Sequence, residues 1–336
     1  MNRQDRYRGC LVGGGAGDAL GYAVEFSSEA SIFAEYGREG ITEYALRRGT
    51  AQISDDTQMT LFTAAGLLLP GEDKVRSVWE CYGEWYVTQF HAFGAAGKNL
   101  SGLMDVEALW SPRAPGRACL AAISGGHPGS TKRPINHSKG CGGVMRAAPA
   151  GLISPFNPMN AAILGAETSA LTHGHDLGWL PGAMLGHMVA ELVSIEKLPM
   201  EQAARNALFA LQYEYTHAPD LRAFTDLMEE AIALAHSDTP ELDAIHALGE
   251  GWVGDEAMAI ALYCAIRHET DFAAGIIAAV NHKGDSDSTG AIAGNLLGAK
   301  LGYEAIPEKF KDKLELRELL LDMADKLCER TGGTLA

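Results

Sequence analysis

The sequence predicts an all-α protein, and three observations carry that expectation. Helix entrances recur as a capping residue followed by proline: "TPELDAIHALGEG" offers Thr239 as N-cap with Pro240 at the first helical position, and "NPMNAAILGAETSALTHG" repeats the device with Asn157 and Pro158. Long segments space their apolar residues with helical periodicity. Alternating β-branched runs are nearly absent, and only "GITEY" hints at a strand.

Taken in order, "GCLVGGGAGDALGYAVEF" reads as a close-packed helix ending near Gly21, which leaves Glu25 in the following loop. Its glycine run does not read as a phosphate loop, because Gly-Lys-Ser/Thr is missing and no strand precedes it. "QISDDTQMTLFTAAGLLL" places Ser54-Asp55-Asp56-Thr57 before an Ala/Leu helix. Residues 111–139 concentrate Pro and Gly in "SPRAPGR" and "GGHPGSTKRPINHSK", and read as a functional loop inside one domain spanning residues 1–336. "GDEAMAIALYCAIRHETDFAAGIIAAV" reads as two helices broken near Glu269 to Asp271. "GDSDSTGAIAGNLLGAKLG" enters a helix through Asp285-Ser286-Asp287-Ser288-Thr289, and "PEKFKDKLELRELLLDMADKLCERTGG" reads as a final amphipathic helix stopped by Gly332.

Glycine recurs every four residues at Gly9, Gly13, Gly17 and Gly21, again at Gly174, Gly178, Gly182 and Gly186, and again at Gly290, Gly294, Gly298 and Gly302. That spacing lines one helical face. Each interior glycine costs about 0.5–1 kcal/mol relative to alanine, so the stripes predict backbones packed closely enough to offset it. The expectation is one tight cluster of the three helices.

The formal charge is -16, from 27 Lys+Arg against 43 Asp+Glu, with no basic block. A surface that wraps nucleic acid is therefore not expected, and an anionic ligand needs local donors. The six cysteines are scattered with no Cys-x-x-Cys pair, which fits reduced thiols. Arg3, Arg6 and Arg8 precede an apolar stretch, but Asp18, Glu25 and the glycines make it a poor signal sequence. With no apolar run long enough to span a bilayer, a soluble cytoplasmic protein away from membranes is expected.

Each hydroxyl-carboxylate cluster alone reads as an N-cap. Two of them read as more, because Asp55 and Asp56 brought beside Asp285 and Asp287 would raise one another's pKa unless a cation neutralised them. The candidate ligands are all oxygens, which selects Mg²⁺, Mn²⁺ or Ca²⁺ over Zn²⁺, and their number suits a pair of ions. In that arrangement Asp285, Asp287 and Ser288 face metal, and Ser286 and Thr289 remain for capping. "HSKGCGGVMRAAP" offers consecutive N–H groups at Gly140, Cys141, Gly142 and Gly143 with Lys139 and Arg146 nearby, which suits a diphosphate or carboxylate. His173 and His175 in "LTHGHD" are candidate donors. Trp252 is a candidate to stack on a base, with a core tryptophan as the ordinary alternative.

The ordered motifs "GCLVGGGAGDALGYAVEF", "SDDTQMTLFTA", "KGCGGVMRAAP", "LTHGHDLGWLPGAM" and "HKGDSDSTGAIAGNLLGA" resemble those of the ADP-ribosylglycohydrolases along nearly the whole chain. The resemblance implies an all-α fold with two Mg²⁺ or Mn²⁺ ions in a cleft. By motif it implies one ion held by Ser54, Asp55, Asp56 and Asp287, and a second held or flanked by Asp285, Asp287, Ser288 and Glu25. Residues 139–146 and His173 would then serve the phosphates and riboses, and Trp252 the nucleotide. Serine stands at 54 and 288 where many relatives have threonine, and Lys139-Gly140-Cys141 replaces the Asn-Gly of several.

The implied reaction removes ADP-ribose from a modified protein, foremost from arginine, by hydrolysis of the bond at C1 of the distal ribose. Glu25 is the candidate base, with Asp55 and Asp287 indispensable through the ions. Two rivals are another ADP-ribose derivative as substrate (O-acetyl-ADP-ribose, or a serine or nucleobase linkage) and a binding protein without turnover. The intact aspartates argue against the latter.

Overall fold

The computed structural model describes residues 2–333, which form fifteen α-helices and no named strand. They are α1 (Arg3–Gly21), α2 (Glu29–Tyr36), α3 (Asp55–Leu68), α4 (Lys74–Phe90), α5 (Arg117–Ser124), α6 (Ala148–Ile153), α7 (Pro158–Ala170) and α8 (Asp176–Ser194). There follow α9 (Met200–Glu214), α10 (Leu221–Ala235), α11 (Glu241–Leu248), α12 (Gly254–Arg267), α13 (Phe272–Val280), α14 (Ser286–Leu301) and α15 (Arg317–Arg330). The buried apolar side chains form one cluster that runs from Tyr7 to Cys328.

The glycine stripes of α1 and α14 pack against each other. A Cβ added at Gly9, Gly13 or Gly17 would collide with the carbonyl of Gly298, Gly294 or Gly290 respectively, and one at Gly21 with Ser286 and Asp287. As one number rises the other falls, so the two helices run antiparallel with backbones in direct contact. This register sets the end of α1 beside the start of α14. The third stripe departs from the expectation of a common cluster. Gly174 precedes α8, and Gly182 and Gly186 meet Gly165 and Ala161 of α7. Small residues on α7 supply the complementary face, so this stripe makes a second close pair, while α8 itself also packs on α14 and α1.

Several boundaries differ from the sequence expectation. Pro240 is extended, at ψ 142°, so it caps α11 in place of Thr239. Leu316 takes a left-handed conformation, which delays α15 to Arg317 and leaves the residues before it in short 3₁₀ turns. The "GITEY" segment pairs with no strand. The Asn281 amide takes that place, accepting the Ile41 N–H at 2.7 Å and donating to the Ile41 carbonyl at 2.9 Å. Within the stretch read as loop, Arg117–Ser124 is helical.

Candidate functional site

Two helix entrances and one loop build an acidic floor. Ser54 caps α3, its hydroxyl accepting the Asp56 N–H at 3.1 Å, so Asp55 and Asp56 occupy the first turn, where the helix dipole favours negative charge. Asp285 is itself the cap of α14, accepting the Ser288 N–H at 3.3 Å, and Asp287 accepts the same N–H at 3.0 Å. Capping therefore falls to Asp285, and the residues expected to do it act elsewhere. Thr289 donates to the Ala279 carbonyl at 2.6 Å, and the Ser286 hydroxyl reaches the His282 carbonyl at 3.4 Å. Glu25 lies in the turn after α1, and carboxylate oxygens of Glu25, Asp285 and Asp287 fall within 4.8 Å of one another.

All five carboxylates are buried, and Glu25 Oε2 and Asp56 Oδ2 have no hydrogen-bond partner. Burial pushes Glu25 up to about 9, helped by the charges of Asp285 and Asp55. It pushes Asp55 up to about 8, against the Gly116 N–H that donates to it at 3.1 Å. Asp56 and Asp287 are driven well above the usual carboxylate range, first by burial and then by their acidic neighbours. No lysine or arginine forms an ion pair with this cluster among the described residues. A floor of uncompensated buried carboxylates is the expected companion of a bound cation.

The floor opens into a cavity of about 630 Å³, ample for a nucleotide-sized ligand. Gly140, Cys141, Gly142, His173 and Trp252 line it with the five carboxylates and Ser288. The remaining expected residues do not. Ser54 stands behind Asp56, fully buried. Gly143 is packed against Gly178 and Ser169. Lys139 is exposed, and its carbonyl accepts the Gly254 N–H at 2.8 Å. Arg146 is buried over the Tyr82 ring, with Thr172 Oγ1 at 2.6 Å and Cys119 Sγ at 3.0 Å, so it braces the loop from behind.

The loop itself is tied to the floor. The Cys141 thiol donates to Asp285 Oδ2 at 2.6 Å, and the Cys141 N–H to the Trp252 carbonyl at 3.3 Å. The His173 ring supports Gly140 and Gly142 from beneath, with Nδ1 on Thr172 Oγ1 at 2.8 Å. Burial, then Arg146, lowers its pKa to about 3, so it is a neutral imidazole. His175 is not in the cavity lining; its Nδ1 accepts the Leu177 N–H and caps α8. Trp252 is 41% exposed and stacks on Phe26 at 6.1 Å between centroids, which favours a rim role over a core one. Sequence reasoning missed Phe26, the first turn of α5, and Asp18. Asp18 was legible as a lone carboxylate in a Gly/Ala helix; its acceptor role toward α3 was not.

A family model described as ADP-ribosylglycohydrolase matches residues 1–335. The ADP-ribosyl-[dinitrogen reductase] glycohydrolase of Rhodospirillum rubrum is 27% identical, over 93% of this chain and 91% of that protein. The ADP-ribosylhydrolase ARH3 of Gallus gallus is 25% identical, over 96% and 93%. A solved structure described as an ADP-ribosylglycohydrolase-related protein complex superposes with a TM-score of 0.66 at 23% identity, over 98% of this chain and 99% of that one, and supports the all-α fold. With the family model matching almost every residue, this chain belongs to the ADP-ribosylglycohydrolase family, hydrolases of glycosidic bonds.

Proposed function

We propose that the protein releases ADP-ribose from a modified arginine, by hydrolysing the bond between C1 of the distal ribose and the guanidino nitrogen. The observation that carries this is the convergence of Glu25, Asp56, Asp285 and Asp287 on one cavity with carboxylate oxygens left unpartnered. The donor set fits hard divalent ions, since it is all oxygen apart from the Cys141 thiol, which is engaged with Asp285. In this reading Asp55, Asp56 and Asp287 hold one Mg²⁺ or Mn²⁺, and Asp285, Asp287 and Ser288 a second, with Ser54 supporting Asp56 from behind. Bound ions of this kind supply charge neutralisation and Lewis acidity at the floor.

The chain's own residues do the rest. Cleavage at C1 develops positive charge on the ribose, and the acidic floor is complementary to it. Glu25 takes the proton of the attacking water at its unpartnered Oε2. Neutralising Asp285 and Asp55 removes part of what pushes Glu25 up, and so returns it toward a pKa suited to a base. Five carboxylates also favour a cationic acceptor, which a guanidinium is and an ester or hydroxyl is not. A second reading is another ADP-ribose linkage such as O-acetyl, seryl or nucleobase, because the similarly extensive match to an ADP-ribosylhydrolase names no acceptor.

The test is release of free ADP-ribose from an ADP-ribosyl-arginine protein, O-acetyl-ADP-ribose and an ADP-ribosyl-serine peptide, each with Mg²⁺ or Mn²⁺. Fastest release from arginine is expected. Release from the others alone would replace the arginine reading with the second, and none from any would remove both.

A further inference from the structure

Among the described residues, Arg117 is the one cationic side chain in the lining of the cleft, which otherwise carries five carboxylates and neutral groups, His173 among them. It is exposed, and its guanidinium makes no ion pair, hydrogen bond or ring contact with any described residue. Other cations near the cleft are out of reach of a ligand: Arg146 is buried behind the loop, and Lys139 lies outside the lining. Arg117 opens α5, whose first turn, Gly116 to Cys119, lies along the same wall and has no side-chain cap. The Gly116 N–H is fixed on Asp55 Oδ2 at 3.1 Å, so this wall keeps a set position relative to the floor.

We propose that Arg117 is a specificity-determining residue that receives the diphosphate of the ADP-ribosyl group. This rests on the reading of the cleft as an ADP-ribose site. A diphosphate entering a lining of carboxylates meets repulsion, and a free guanidinium presents the planar fork that binds two phosphate oxygens at once. The uncapped turn behind it adds the positive end of a helix. Ribose and adenine are uncharged, so Arg117 selects for the phosphorylated part of the substrate alone.

The experiment titrates ADP-ribose, ADP and adenosine calorimetrically into wild type, Arg117→Ala and Arg117→Lys in Mg²⁺-containing buffer. Arg117→Ala weakens ADP-ribose and ADP by about ten-fold or more, and leaves adenosine unchanged. Arg117→Lys recovers part of the loss, because a point charge lacks the fork. Added NaCl weakens ADP-ribose binding to wild type more than to Arg117→Ala. Wild type that binds ADP-ribose together with an Arg117→Ala variant within about two-fold of it, or one that loses adenosine equally, overturns the role of Arg117 alone. Wild type that binds no ADP-ribose overturns both this role and the reading of the cleft.

Discussion

The carboxylate of Asp18, near the end of α1, accepts the backbone N–H of Ser54 at 2.9 Å and so ties the first helix to the turn that opens α3. It also accepts the Thr57 N–H at 3.1 Å and the Thr57 hydroxyl. Burial pushes Asp18 up to about 6 against the downward pull of these donors. Asp18→Ala leaves three buried donors without an acceptor, at about 1–3 kcal/mol each. Thermal unfolding should drop by several degrees, and affinity for Mn²⁺ should fall with it, because the turn carrying Asp55 and Asp56 loses its brace. Melting curves with and without Mn²⁺ measure both. A variant as stable as wild type, with the same Mn²⁺ stabilisation, would dismiss the brace.

Two glycine substitutions separate packing from helix propensity. Gly83 in α4 has nothing within 4 Å of an added Cβ, so Gly83→Ala should stabilise by about 0.5–1 kcal/mol. Gly17→Ala drives the same methyl into the Gly290 carbonyl, and should cost about 1–3 kcal/mol through overpacking. Denaturant melts of both variants give the sign directly. An equal gain at the two positions would mean that the α1–α14 contact is looser than described.

What could be read in advance was what is local in the chain. Ser54-Asp55-Asp56 and Asp285 to Ser288 announce themselves because a cap and its helix are neighbours in sequence. Asp18 did not, because its partners lie 36 and 39 residues away. The four-residue glycine spacing gives a close-packing face without naming its partner, so the α7 face of the α8 stripe was not foreseen; Ala161, Gly165 and Ser169 on α7 keep the same four-residue spacing, but as mixed small residues they do not stand out as a glycine repeat. Helix α5 was hidden by "SPRAPGR", whose Pro and Gly end one residue before it begins. The side of Arg146 was also illegible, since only burial over Tyr82 removes it from the cleft.

Charge in the floor predicts how pH and ions act on stability. Unfolded Asp and Glu titrate near pH 4, whereas Asp55 and Glu25 are raised to about 8 and about 9 in the metal-free fold. A raised folded pKa contributes stability that is full below the unfolded value and is lost as pH rises through the folded one. The lowered pKa of His173, about 3, and of His187, about 4, acts oppositely, below about pH 6.5. Between about pH 6.5 and 8 the raised carboxylates dominate, and toward about pH 9 the buried thiols, also raised, add to the same trend, so the melting temperature in EDTA should fall with pH. Mg²⁺ or Mn²⁺ should flatten that slope and restore activity, Zn²⁺ poorly, and Asp55→Ala or Asp287→Ala should lose both effects. Identical slopes with and without ions would remove the metal assignment.

Glu25 separates a base from a ligand. Its Oε2 is unpartnered, and one of its carboxylate oxygens lies within 4.8 Å of those of Asp285 and Asp287, so the side chain is placed for either task. Glu25→Gln keeps the shape and one acceptor oxygen but cannot take a proton. If Glu25 is the base, kcat falls by roughly 10²-fold or more while Mn²⁺ affinity and ADP-ribose binding hold. The acidic limb of the kcat–pH profile that reports its ionisation should also disappear. If Glu25 is chiefly a ligand, Mn²⁺ affinity falls first, and saturating Mn²⁺ recovers most of the rate. An unchanged kcat at every Mn²⁺ concentration would exclude both roles, and would leave its buried, partnerless oxygen a cost to the fold with no return in catalysis.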